Sequence, residues 1–133
     1  MSKDITKAVP LLQEFWPVLQ RWFAARYTNY SLTLTSIDRP PVEQLRLFCQ
    51  GRLPENKGEI VTYRDGFNVR STHNALPLSK AFDVGILRGI EFDWTDATAL
   101  LLQPALHDTG YAGKIIWGGV WPKPDSYHFE VSI

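Results

Sequence analysis

The chain predicts an α+β fold: a single small domain with a central, mainly antiparallel sheet flanked by helices. Three observations carry this. Apolar residues recur at helical spacing near the N-terminus, from Ile5 to Phe23. Short runs such as Ser31 to Ile37 and Ala81 to Ile86 alternate in the manner of strands. Helices and strands come as separate stretches, with no repeat, no low-complexity tract and no second domain. A length of 133 residues suits one domain around one hydrophobic core.

The elements follow in order. Over residues 5 to 28, Ile5, Leu11, Leu12, Phe15, Trp16, Leu19, Trp22 and Phe23 form one apolar side of a helix. Pro10 suits its first turn. Pro17 removes a backbone donor and disfavours helix at Trp16, which predicts a kink or a division into two short helices. Ser31 to Ile37 reads as a strand. Pro40 and Pro41 open a second helix with Val42, Leu45, Phe48 and Cys49 as its buried stripe and Gly51 as its stop. Residues 52 to 58 form a polar loop, Glu59 to Tyr63 a short strand, and residues 64 to 79 mostly loop.

Ala81 to Ile86 is a strand with Phe82, Val84 and Ile86 on one face and Ala81, Asp83 and Gly85 on the other. Thr95 or Asp96 caps a helix that runs to about His107, bends at Pro104 and ends at Gly110. Lys114 to Trp117 and Tyr127 to Ser132 close the chain as strands.

Composition narrows the function. The formal net charge is zero, so nothing points to nucleic acid as a partner. A single cysteine, Cys49, rules out an internal disulfide and reads as a core residue. No run of about 18 apolar residues exists to span a membrane. The N-terminus does not read as a signal peptide, because Lys3 and Lys7 flank Asp4 and the stretch from Val9 to Val18 is broken by Gln13 and Glu14.

Two stretches carry chemistry. Ser71-Thr72-His73 is followed ten residues after the histidine by Asp83, within Ala81-Phe82-Asp83. The tail holds Trp117-Gly118-Gly119-Val120-Trp121 and then Asp125-Ser126-Tyr127-His128-Phe129-Glu130. Two histidines, an aspartate and a carboxylate three positions before the second histidine make the set for a hydrolytic zinc site with an open position for water. Asp83 has the small neighbours Ala81 and Gly85 on its own face, which leaves room for something bulky. His128 and Glu130 share one face of the last strand, a rigid mount. Asp125, acceptor-only when ionised, is close enough to take a proton from a water at the same metal. His and carboxylate ligands also suit other divalent ions.

These residues resemble the zinc D-Ala-D-Ala carboxypeptidases and dipeptidases and their phage relatives, the L-alanyl-D-glutamate endopeptidase endolysins. That family's pattern is Ser-x-His, then Ala-x-Asp, then an acid three residues before a second histidine, often followed by Phe-Glu. The Trp-Gly-Gly-x-Trp run is similar to the endolysin branch, as is the segment from Arg39 to Arg52 with Glu43-Gln44 and Gln50-Gly51-Arg52. Glu59 to Thr62, leading by a loop into Ser71, also fits. The resemblance spans residues 31 to 131 and leaves out the N-terminal 30, so a helical segment over 1–30 precedes a catalytic part over 31–133 within one domain. Two departures stand out. The stretch from His73 to Asp83 is longer than is usual in the family and lacks its glycine, a change a loop absorbs at little cost. The base is Asp where the dipeptidases have Glu.

The resemblance implies the hedgehog/DD-peptidase fold, one zinc ion on His73, Asp83 and His128, and Asp125 as general base. Arg39 matches an arginine that binds substrate or steadies the oxyanion. Ser71 bonds substrate or its own loop, and Trp117 belongs to the cleft wall as a substrate contact. Glu130 orients a ligand or pairs with a charge, and His107 is a cation beside a helix end. The implied activity is cleavage of the bacterial peptidoglycan stem peptide by a monomer. It would be made in the host cytoplasm and act in the periplasm or cell wall. A carboxypeptidase or dipeptidase acting on terminal D-Ala-D-Ala is the nearest alternative, and a non-catalytic zinc-bearing wall-binding module is one from another class.

Overall fold

The computed structural model describes residues 3–37 and 78–132. The expected second helix with Cys49, the loop over 52–58, the strand over 59–63 and most of the following loop lie outside them, as do Arg39, Ser71 and His73.

The N-terminus begins with a 3-10 turn, Ile5–Lys7, capped by Asp4, whose carboxylate accepts from the Thr6 amide at 3.0 Å. Helix α1 then runs Pro10–Arg26 with Pro10 in its first turn. It passes through Pro17 as one helix, so the division into two short helices does not occur. The reason is energetic. Leu12, Phe15, Leu19 and Phe23 fall on one stripe and are fully buried. Each such burial is worth about 1.5–3 kcal/mol, which together outweighs the roughly 3 kcal/mol that an interior proline costs.

Among the described residues, five strands form one antiparallel sheet: β1 (Ser31–Ser36), β2 (Ala81–Arg88), β3 (Glu91–Phe92), β4 (Ile115–Trp117) and β5 (His128–Val131). The order is β1-β2-β5-β4, with β3 pairing the far end of β2. The fold is therefore the predicted α+β. The stretch expected as one helix before Gly110 is instead α2 (Asp96–Ala99), a 3-10 turn (Leu100–Leu102) and α3 (Ala105–Thr109). Thr95 caps α2 by accepting from the Thr98 amide. Pro104 breaks the run because it cannot supply the amide a continuous helix needs there.

Helix α1 covers one face of the sheet. Phe15 lies against Phe82 and Phe129 at ring-centroid distances of 6.0 and 5.6 Å, and all three are fully buried. Val84, Ile86, Ile115 and Val131 complete that face. Ser79 ties the layers together. Its amide donates to the Lys7 carbonyl, its carbonyl accepts from the Val9 amide, and its hydroxyl reaches the Ile37 and Ala81 carbonyls. The opposite face, carrying Asp83, His128 and Glu130, is where the polar chemistry gathers.

Candidate metal centre

Asp83 and His128 are direct cross-strand partners of β2 and β5, and Glu130 pairs with Ala81 two positions along. Direct partners in an antiparallel pair hold their side chains side by side on one face. The core-facing neighbours Phe82 and Phe129, also partners, anchor the same two strands from below. Register and alternation thus bring residues 45 apart in sequence into contact.

His128 is 4% exposed, and both of its ring nitrogens are engaged. Nδ1 lies 2.9 Å from Asp83 Oδ1 and 3.8 Å from Asp125 Oδ2, and Nε2 lies 2.8 Å from Glu130 Oε1. Burial disfavours the charged ring, but the hydrogen bonds to Asp83 and Glu130 and the charges of Asp83 and Asp125 prevail, and the pKa is pushed up to about 9. Without a metal, the carboxylates beside the ring favour its protonated form.

Asp125 is placed by the loop between β4 and β5. Its amide donates to the Gly118 carbonyl at 3.0 Å, and its carbonyl accepts from the His128 amide at 3.2 Å. The double glycine has a steric reason. A Cβ on Gly118 would sit 2.4 Å from the Asp125 carbonyl oxygen, and one on Gly119 would sit 2.2 Å from the Trp117 ring. Trp117 is 5% exposed, and its indole N–H donates to the Ser126 carbonyl at 2.7 Å. It braces the loop that carries Asp125, and it also lines a cleft with Leu106, Ile116 and Val120 that includes none of Asp83, Asp125 and His128. Trp121 lies over the His128 ring at 5.3 Å. The Trp-Gly-Gly-x-Trp run is thus a clamp that sets Asp125 and His128 in register.

Asp83, Asp125 and His128 each offer a ligand atom within 4.8 Å of the others. Among the described residues, three carboxylates, counting Glu130, surround one imidazole. Carboxylate oxygens and an imidazole nitrogen at this spacing are the donor types a divalent cation takes, with the cation in place of the Nδ1 proton. Glu130 on Nε2 would keep the ring in the tautomer whose Nδ1 lone pair faces the two aspartates. The donor set fits such an ion.

Of the sequence-predicted residues, the structure brings together Asp83, Asp125 and His128, with Trp117 behind them. His107 is well exposed beside Asp108 at the end of α3, away from the cluster's hydrogen bonds. Ser36 escaped notice in the sequence. The register shifts between Leu34 and Ser36 and sets Ser36 opposite Asp83, its hydroxyl buried without a hydrogen-bond partner among the described residues. Strand alternation alone conceals such a bulge. The glycine clamp was visible as a dipeptide, but its steric cause needed the fold.

No protein-family model matches the chain, and neither does any curated protein sequence. Among solved structures, the L-Ala D-Glu endopeptidase ChiX of Serratia marcescens superposes with a TM-score of 0.71 at 16% identity, covering 98% of this chain and 84% of that one. At that identity the likeness establishes a shared fold. It extends over the N-terminal helix, which the motif resemblance left out.

Proposed function

We propose that this chain is a zinc-dependent peptidoglycan peptidase of the endolysin type that cleaves the L-alanyl–D-glutamate bond of the stem peptide. The observation that carries the reading is the convergence of Asp83, Asp125 and His128 on the face of the sheet opposite α1, in a fold shared with an enzyme named for that bond. His73, Asp83 and His128 would hold one ion. Such an ion would supply the charge that polarises a carbonyl and acidifies water.

The chain's own groups do the rest. Glu130 fixes the His128 ring from its far nitrogen. Asp125, with its side chain 58% exposed, accepts the proton of the attacking water and returns it to the leaving amine. Arg39 binds substrate and steadies the developing oxyanion, and Ser71 bonds the peptide backbone. The Trp117 edge forms part of the cleft wall. The enzyme acts as a monomer on peptidoglycan in the periplasm or cell wall after synthesis in the bacterial cytoplasm. Among the described residues, no helix is long and apolar enough to cross a membrane.

Mass spectrometry of defined muropeptides digested with and without chelator tests the proposal. Separation between L-Ala and D-Glu that stops on chelation supports it. Release of D-alanine would replace it with the carboxypeptidase reading. Intact substrate in the presence of bound zinc would leave a wall-binding module.

A further inference from the structure

We propose that Trp94, stacked on Phe92 and braced by Tyr127, is a sugar-binding platform that seats a pyranose ring of the glycan strand beside the metal centre. This inference rests on the peptidoglycan reading above and adds a subsite to it.

The two rings are half in solvent, Phe92 at 45% exposure and Trp94 at 52%. They stack nearly parallel, 13° apart with centroids at 5.1 Å, and present a flat aromatic plate. The plate is held firmly. Tyr127 packs against Trp94 with ring centroids 4.9 Å apart and planes nearly perpendicular, and its hydroxyl reaches the carbonyls of Asp93 and Thr95, on either side of Trp94, at 3.0 Å each. The Asp93 carboxylate accepts from the Thr95 amide and hydroxyl, and the Asp93 amide donates to the Ile86 carbonyl. A surface aromatic fixed at backbone and ring loses little freedom when a ligand arrives.

Its position ties it to the centre. The Phe92 ring lies over Gly85, where a Cβ would come within 2.4 Å of it. Gly85 shares its face of β2 with Asp83, two residues and about 7 Å away. Tyr127 immediately precedes His128. The plate, carried by β3 and the residues after it, therefore packs against β2 and against the residue that leads into β5, the two strands that hold Asp83 and His128.

Flatness and the surrounding charges select the occupant. A pyranose offers one face of C–H bonds to the electron-rich face of an aromatic ring, while its hydroxyls project sideways. Arg88, Glu91 and Asp93 line the adjoining cleft of about 320 Å³, where such hydroxyls would find donors and acceptors. An apolar side chain would prefer a concave, enclosed pocket. In the substrate, the first stem-peptide bond lies one residue and a lactyl bridge from the sugar, on the order of 7–10 Å, so a sugar subsite belongs near the centre that cuts that bond.

The test uses a peptide-free N-acetylglucosamine–N-acetylmuramic acid disaccharide, with the Trp94 indole N–H followed by NMR in the full chain. Saturable shifts are expected in the wild type and binding in Trp94→Phe, read from other amides at the site. At least tenfold weaker binding is expected in Trp94→Leu, which keeps apolar bulk without a ring face. In parallel, kcat/KM is compared on stem peptides with and without the disaccharide. The preference for the glycan-bearing substrate should fall about tenfold in Trp94→Leu. No disaccharide binding to wild type, equal binding by the Leu variant, or an unchanged preference would overturn the platform. Trp94-dependent disaccharide binding without cleavage of either substrate would leave the platform standing and sink the peptidase reading.

Discussion

Along β2, Phe82, Val84 and Ile86 point toward α1 and are fully buried, whereas Asp83 points the other way into a cluster of charged groups. The same division runs along β5, with Phe129 and Val131 on one side and His128 and Glu130 on the other. One face holds the domain together, and the other gathers charges that folding alone would not favour. The alternation of a strand lets one short segment serve both ends, because neighbouring residues need share nothing but the backbone. Substitutions one position apart should therefore fail in different ways, and that expectation can be broken.

The largest expected effect is on the charged face. Asp125→Ala should lower kcat by about 10²–10⁴, the usual worth of a general base. The zinc content and the unfolding midpoint of the protein should stay near those of the wild type, since the side chain is exposed in a loop. Metal analysis beside steady-state rates checks this, and loss of zinc would make Asp125 a ligand rather than the base. On the other face, Phe82→Ala should cost about 3–5 kcal/mol of stability in denaturant unfolding. Its ring packs between Phe15, Trp16 and Phe129 and is fully buried. A cost below about 1 kcal/mol would mean that α1 does not form the second layer.

A smaller effect tests the support of the cluster. Glu130→Gln should weaken zinc binding by about 10–100-fold, as measured by competition with a chromogenic chelator, because the far nitrogen of His128 loses its charged partner. Unchanged affinity would show that Glu130 is a passive neighbour. The smallest effect falls where the two faces meet. Tyr127→Phe removes the hydroxyl that reaches Asp93 and Thr95 and should cost about 1 kcal/mol at pH 8. Burial first, then Asp93 and Asp96, push the Tyr127 pKa up to about 12. The unfolded chain releases that proton nearer pH 10, so this contribution is complete below pH 10 and fades as pH rises through 12. Urea unfolding of both proteins across that range should show the gap narrowing, and a constant gap would contradict it.

Much of this division was legible in the sequence. The stripe of Leu12, Phe15, Leu19 and Phe23 and the alternation of Ala81 to Ile86 gave α1, β2 and the core face, because periodicity reports burial directly. Asp83, Asp125 and His128 were legible as a set only through their chemistry and spacing. What stayed hidden depends on tertiary context. Whether Pro17 would divide α1 is decided by the apolar surface beneath it. The bulge that sets Ser36 opposite Asp83, and the indole of Trp117 bound to Ser126, depend on pairings between distant segments. The aromatic plate at Phe92 and Trp94 escaped for the same reason, since its stacking is visible only once β3 folds back on β2.

The central claim is that the charged face is a metal centre. Calorimetric zinc titration of the metal-free wild type beside Asp83→Asn and His128→Gln tests it most directly. One tight site per chain is predicted in the wild type, weakened at least a hundredfold in both variants while their folds persist. No tight site in the wild type, or equal affinity in all three proteins, would contradict it.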